Sequence, residues 1–147
     1  MESYMNVLDC VNSGIFYLDG GTGSYLQAMG LQPGELPELL DLSRPEAIVG
    51  LGKAYYEAGS HMICTNTFGA NSLKFHGKDG MHTVEQVVYA AVNCAKKARE
   101  IAVGGQIHRY IALAILYHIP YFHNIACTHC DYYIASLSVF LHKCSNF

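Results

Sequence analysis

Three groups of residues in this 147-residue chain have types and spacing suited to chemistry. The first is Asp19-Gly20-Gly21-Thr22, a carboxylate followed by two glycines and a hydroxyl. Glycines permit positive φ and let backbone amides approach a bound carboxylate closely. The second is Thr65-Asn66-Thr67, where hydroxyl and amide groups offer donors and acceptors together. Both groups also have a plainer reading, a tight turn and a hydroxyl motif that satisfies its own backbone. The third is Cys127-x2-Cys130, with His142 and Cys144 downstream. C-x2-C is half of a zinc site, although His142-Lys143-Cys144 is not a usual second half. Cys64 on a strand and Cys94 on a helix suit buried, inert thiols instead.

The elements that must position the first two groups follow from periodicity. Ile15-Phe16-Tyr17-Leu18 is a short apolar run rich in β-formers, and it predicts a buried strand ending at Asp19. Ser24 to Met29 predicts one or two helical turns stopped by Gly30. Ser43-Arg44-Pro45-Glu46 reads as a capping box with proline in the first turn. Ile48, Leu51, Tyr55 and Ala58 then recur at helical spacing, and Gly59 ends that helix. His61 to Cys64 is the second strand. Thr83-Val84-Glu85-Gln86 is a second capping box, ahead of Val84, Val87, Val88, Ala91, Ala95, Ala98 and Ile101 on one helical face. Tyr110 to Ile115 is a third strand.

The order β-α-β-α-β with buried strands calls for a parallel sheet, either open and doubly wound or closed as a (β/α)8 barrel. The strand-to-helix loops are long and the helix-to-strand link Gly59-Ser60 is minimal. Functional residues of α/β folds collect on those strand-end loops, where Asp19–Thr22 and Thr65–Thr67 fall.

Composition divides the chain. It is 51% hydrophobic, which excludes general disorder, and its net charge of −3 argues against a nucleic-acid partner. Residues 107–147 contain no glycine and 3 charged residues in 41, against 18 in 106 before them. They also hold 5 of 8 histidines and 3 of 6 cysteines. Tyr110 to Cys130 is uncharged and long enough to span a membrane, but Pro120, His118, His123, Asn124 and His129 inside it argue against that. The N-terminal sequence has no secretory signal, so the expected setting is the reducing cytoplasm with free thiols.

Three blocks carry a resemblance: Phe16 to Gln27, Gly34 to Pro45, and Tyr56 to Asn71 with its Thr-Asn-Thr-Phe-Gly-Ala-Asn run. Together they resemble the homocysteine S-methyltransferase family, on its cobalamin-dependent methionine synthase branch, over roughly residues 8–115. The resemblance implies a (β/α)8 TIM barrel of which these residues supply the first two to three β/α units. It implies a zinc ion, held by three cysteines from late strands, that binds homocysteine as a thiolate for methylation to methionine. It implies methylcobalamin as donor, recharged from methyltetrahydrofolate on other modules. It also implies that Asp19, Gly20, Gly21, Thr22, Thr65, Asn66 and Thr67 help hold the amino-acid end of homocysteine.

The family's adjacent Cys-Cys run and its Gly-Pro-Thr-Gly loop have no counterpart in this sequence. The expectation is therefore residues 1–115 as the opening of a homocysteine-binding barrel, incomplete and inactive, and residues 116–147 as an aromatic, His- and Cys-rich tail that does not match the family. The alternative is a non-enzymatic zinc-binding protein using Cys127, Cys130, His142 and Cys144. A three-stranded parallel sheet with open edges also predicts self-association or aggregation.

Overall fold

The computed structural model describes residues 7–78, 81–103, 110–112 and 132–133. Its elements are helices α1 (Val7–Ser13), α2 (Thr22–Ala28), α3 (Leu40–Ser43), α4 (Pro45–Glu57) and α5 (Val84–Val103), a 3-10 turn (Pro37–Leu39), and strands β1 (Met62–Cys64), β2 (Tyr110–Ala112) and β3 (Tyr132–Tyr133). The strands form one sheet in the order β1-β2-β3. Both pairings are parallel, with Ile63 opposite Ile111 and Ile111 opposite Tyr132. The parallel β1-α5-β2 crossover is what the helix and strand order calls for.

The expected first strand is reduced to one bridge, Leu18 with Met62. Tyr17 O accepts from His61 N–H at 2.8 Å, and Asp19 N–H donates to Met62 O at 3.1 Å, so residues 17–19 run beside β1. This segment is not buried as expected: Ile15 is 76% exposed and Leu18 40%. Among the described residues it has sheet bonding on one side only, and only Phe16 tucks in, with Cys10, against Met62.

Helices α4 and α5 cover the sheet. Ile48, Leu51, Ala95 and Ala98 meet Ile63 and Ile111 in one core cluster. Gly52 is the close-approach point: a Cβ there would lie 2.9 Å from both Ala98 Cβ and Ile63 Cδ1. A second cluster joins Ala70 and Phe75 of the β1–α5 connection to Val84, Val87 and Val88. It pins that long connection to the helix it leads into.

The two capping boxes fare differently. Thr83 and Gln86 form the reciprocal pair, with Gln86 N–H donating to Thr83 Oγ1 at 3.2 Å and Thr83 N–H to Gln86 Oε1 at 2.9 Å. Ser43 does not cap α4. It ends α3, and its hydroxyl donates back to Leu39 O at 2.9 Å. Arg44 takes the cap position without a side-chain bond, and Pro45 opens the helix. The backbone from Pro37 is already helical here, so Ser43, four residues past Leu39, finds a carbonyl before it finds a free amide.

Gly59 and Gly30 close their helices in the left-handed region, at φ 106° and 96°. Helix α2 starts at Thr22, two residues ahead of Ser24. Ile101 lies on the solvent side of α5, 47% exposed, while the next residue, Ala102, packs against the core. Among the described residues no helix is long and apolar enough to cross a membrane. Residues 113–131 of the expected strand and uncharged stretch lie outside the described residues, as do Cys127, Cys130, His142 and Cys144.

Candidate functional site

The site forms where the chain leaves the 17–19 segment and β1. Asp19 ends the former, and its Oδ2 accepts the backbone N–H of Cys64, the last residue of β1, at 2.7 Å. Burial holds the Asp19 carboxyl above its ordinary range, opposed by that hydrogen bond. Asp19 thus fastens one strand end to the next and keeps its carboxylate at the mouth of a cleft. The cleft is shallow and open to solvent, and is lined by Asp19, Thr22, Tyr55, Cys64, Thr65 and Asn66 over an apolar floor that includes Ile63 and Ala95.

Four of the seven residues expected from the sequence therefore line one cleft: Asp19, Thr22, Thr65 and Asn66. The other three do something else. Neither Gly20 nor Gly21 adopts positive φ; among the described residues the glycines that do are Gly30, Gly34, Gly59 and Gly77. Gly20 instead lies close against Tyr55: a Cβ there would meet Tyr55 Oη at 3.1 Å, so the ring would have to give by a few tenths of an ångström. Gly21 is the extended N-cap of α2 at φ −70°. Thr67 is fully buried, and its hydroxyl lies 2.7 Å from that of Thr65. Part of the plainer reading therefore holds for the Thr65–Thr67 pair.

The middle residue of the triplet lines the cleft and is held by its side-chain amide. Asn66 Nδ2 donates to Pro37 O at 2.8 Å and to Asp41 Oδ2 at 3.0 Å. Glu38 Oε1 accepts from Gly69 N–H at 2.6 Å. The loop after β1 is thus carried by two acids of the 3-10 turn and α3, which sequence reasoning missed. Their signal was present: Glu38-Leu-Leu-Asp41 places two acids one helical turn apart inside an apolar stretch. Tyr55 was read only as a core residue of α4, yet it also forms the cleft wall against Gly20.

Among the described residues the cysteines do not gather. Cys10 is half-buried on α1, Cys64 on β1 and Cys94 on α5. Cys64 is exposed rather than buried, at the sheet's upper end. Desolvation of its inner side and the Asp19 charge push its thiol up to about 12. Cys94 is buried as expected and its thiol lies 3.8 Å from Asp41 O, with burial raising it to about 12. Zinc requires thiolates converging within bonding distance. These three are on separate elements, two of them held as thiols, and among the described residues no three His, Cys, Asp or Glu groups converge on a metal position. The described residues do not fit zinc.

The model of the family described as Homocysteine S-methyltransferase matches residues 16–136. The chain belongs to the homocysteine S-methyltransferase family. The match takes in both cleft loops, and it runs past Ile115, where the resemblance was expected to end, to include residues 116–136. Methionine synthase of Mycobacterium tuberculosis (strain ATCC 25618 / H37Rv) is 32% identical over 72 residues, covering 45% of this chain and 6% of that protein. Two crystal structures of the homocysteine methyltransferase MmuM from Escherichia coli share the fold. The oxidized form has a TM-score of 0.59 at 22% identity, covering 68% of this chain and 37% of that one. The metallated form has a TM-score of 0.59 at 21% identity, covering 71% and 40%. The chain therefore spans well under half the length of these relatives.

Proposed function

We propose that this chain provides the part of a homocysteine S-methyltransferase that grips the amino-acid end of homocysteine. The observation that carries the reading is the meeting of Asp19, Thr22, Thr65 and Asn66 at one cleft, from loops far apart in sequence. Asp19 supplies a carboxylate for the ligand's ammonium group. Thr22 and Thr65 supply hydroxyls, and Tyr55 a wall beside the ligand. Homocysteine's thiol would then point away from these loops, toward the family's methyl-transfer centre.

The same reading places the 17–19 segment, β1 and β2 as consecutive staves of a (β/α)8 barrel, whose usual size of about 250 residues exceeds this chain. It assigns zinc, cobalamin and methyltetrahydrofolate to other parts of such an enzyme, and no transfer step to the described residues. Isothermal titration of the full chain with L-homocysteine tests the reading. Binding is expected, with loss when the amino group is acetylated. Equal binding of the acetylated compound, or none of L-homocysteine, would contradict it.

A further inference from the structure

Asn66 lines the cleft, and its side-chain amide has two ends of opposite character, a nitrogen that donates and an oxygen that accepts. The nitrogen end is occupied. Nδ2 donates to Pro37 O at 2.8 Å and to Asp41 Oδ2 at 3.0 Å, one bond for each of its hydrogens. Pro37 O also takes the Leu40 N–H, and a carbonyl can never donate. Turning the amide over would set Asn66 Oδ1 against that carbonyl and the Asp41 carboxyl, acceptor facing acceptor. The partners therefore decide which end is which, and Oδ1 is the polar atom that Asn66 has left to offer.

The groups behind the amide are well anchored. Pro37 opens the 3-10 turn that runs directly into α3, so both partners of Nδ2 belong to one short helical run. Asp41 is 3% exposed. Its neighbour Leu40 packs in the core cluster with Ala95 and Ala98 of α5, and the Cys94 thiol lies 3.8 Å from Asp41 O. Neither Pro37 nor Asp41 lines the cleft. They reach it only through Asn66.

We propose that Asp41 and the Pro37 carbonyl are positioning groups that lock Asn66 with its oxygen toward the cleft, so that the cleft selects a ligand carrying a protonated amine. Asp19 offers the same cleft a carboxylate, held by the Cys64 N–H. One charged and one neutral acceptor then meet a ligand that brings several N–H donors. A ligand whose amine is capped or missing leaves an acceptor without a donor, which is how a polar site rejects it. The choice of ligand rests on the homocysteine reading of the cleft; the locked amide rests on its hydrogen bonds alone.

The test is side-chain amide NMR on the isotope-labelled full chain. Without ligand, both Asn66 Nδ2 protons are expected to exchange slowly with solvent and to show couplings across their hydrogen bonds to the Pro37 carbonyl carbon and Asp41 Cγ. L-Homocysteine is expected to shift Asn66 Cγ while the Nδ2 protons stay protected, and its analogue without the amino group to leave Cγ in place. Asp41→Leu should lose the protection and the Cγ response, and weaken L-homocysteine binding about tenfold, the worth of one hydrogen bond. Asp41→Asn, which keeps an acceptor opposite Nδ2, should retain all three. A role of Asp41 in stability alone would leave the Cγ response intact in Asp41→Leu. Fast exchange of the wild-type Nδ2 protons, an equal Cγ shift with the amine-free analogue, or wild-type binding by Asp41→Leu would each overturn the proposal. The wild-type exchange and couplings decide the lock even where Asp41→Leu does not fold. Shifts at Asp19–Thr22 with none at Asn66 Cγ would overturn the selection and leave the site reading standing. No binding of L-homocysteine would overturn the site reading and the selection together, while the couplings still decide the lock.

Discussion

The carboxylate of Asp19 accepts the backbone N–H of Cys64 at 2.7 Å, across 45 residues of chain. This one bond ties the end of the 17–19 segment to the end of β1, and it brings the two cleft loops into one site. Asp19→Ala should cost about 1.5–3 kcal/mol in urea denaturation, the usual worth of a hydrogen bond to a charged group. Asp19→Asn keeps an acceptor, so it should cost less while still abolishing the charge offered to homocysteine. It should also speed alkylation of Cys64 by iodoacetamide, because the Asp19 charge that helps hold the thiol up is gone. An unchanged alkylation rate would separate the two residues electrostatically.

Gly20 and Tyr55 make the next prediction. A Cβ at Gly20 would press on the Tyr55 ring, 3.1 Å from Oη and 3.3 Å from Cε1. Gly20→Ala should destabilise the chain by about 1 kcal/mol, the low end of the range for overpacking, because the Tyr55 ring need shift by only a few tenths of an ångström. Adding Tyr55→Phe removes the nearest atom and should restore part of that loss. Thermal melts of the single and double variants measure both.

How much of this was legible in the sequence varies with the physical cause. Local signals read well. Thr83 and Gln86 cap α5 as their spacing said, and Gly59 and Gly30 stop their helices at positive φ. The apolar face of α5 was correct from Val84 to Ala98 and failed at Ile101, where only tertiary cover decides. Ser43 looked like a cap because its neighbours fit one, but the preceding helical turn offered its hydroxyl a nearer carbonyl. Four site residues were legible through the loops they occupy. Glu38 and Asp41 were not, because their role depends on Gly69 and Asn66, 31 and 25 residues away. Helix α1 was not foreseen either, and the seven residues Val7–Ser13 offered little periodicity to read.

Asp41 also gives the chain a pH signature. Its folded-state carboxyl lies near 8 against an ordinary 3.8. Between those values the unfolded chain releases this proton and the folded chain keeps it, so the unfolded state binds fewer protons. This contribution to stability is full below about pH 4, declines as pH rises toward 8, and is constant above. Urea denaturation at pH 5, 6.5 and 8 should show the decline, and Asp41→Asn should flatten it. A rise in stability over that range that is unaffected by Asp41→Asn would refute the assignment.

The reciprocal Thr83–Gln86 cap should behave as a coupled pair. Thr83→Ala should cost about 1 kcal/mol, as for other N-cap losses. Gln86→Ala should cost less once Thr83 is already alanine, because each residue closes the other's amide. A double-mutant cycle by urea denaturation gives the coupling energy, and strict additivity would mean the two bonds act independently.

In the proposed function the loops after the 17–19 segment and after β1 hold the amino-acid end of homocysteine together. A backbone amide NMR titration of the full chain with L-homocysteine tests this. Saturable shifts confined to Asp19–Thr22 and Thr65–Asn66 are expected, lost together in Asp19→Asn. Shifts in only one loop, shifts centred elsewhere, or none at saturating homocysteine would contradict it.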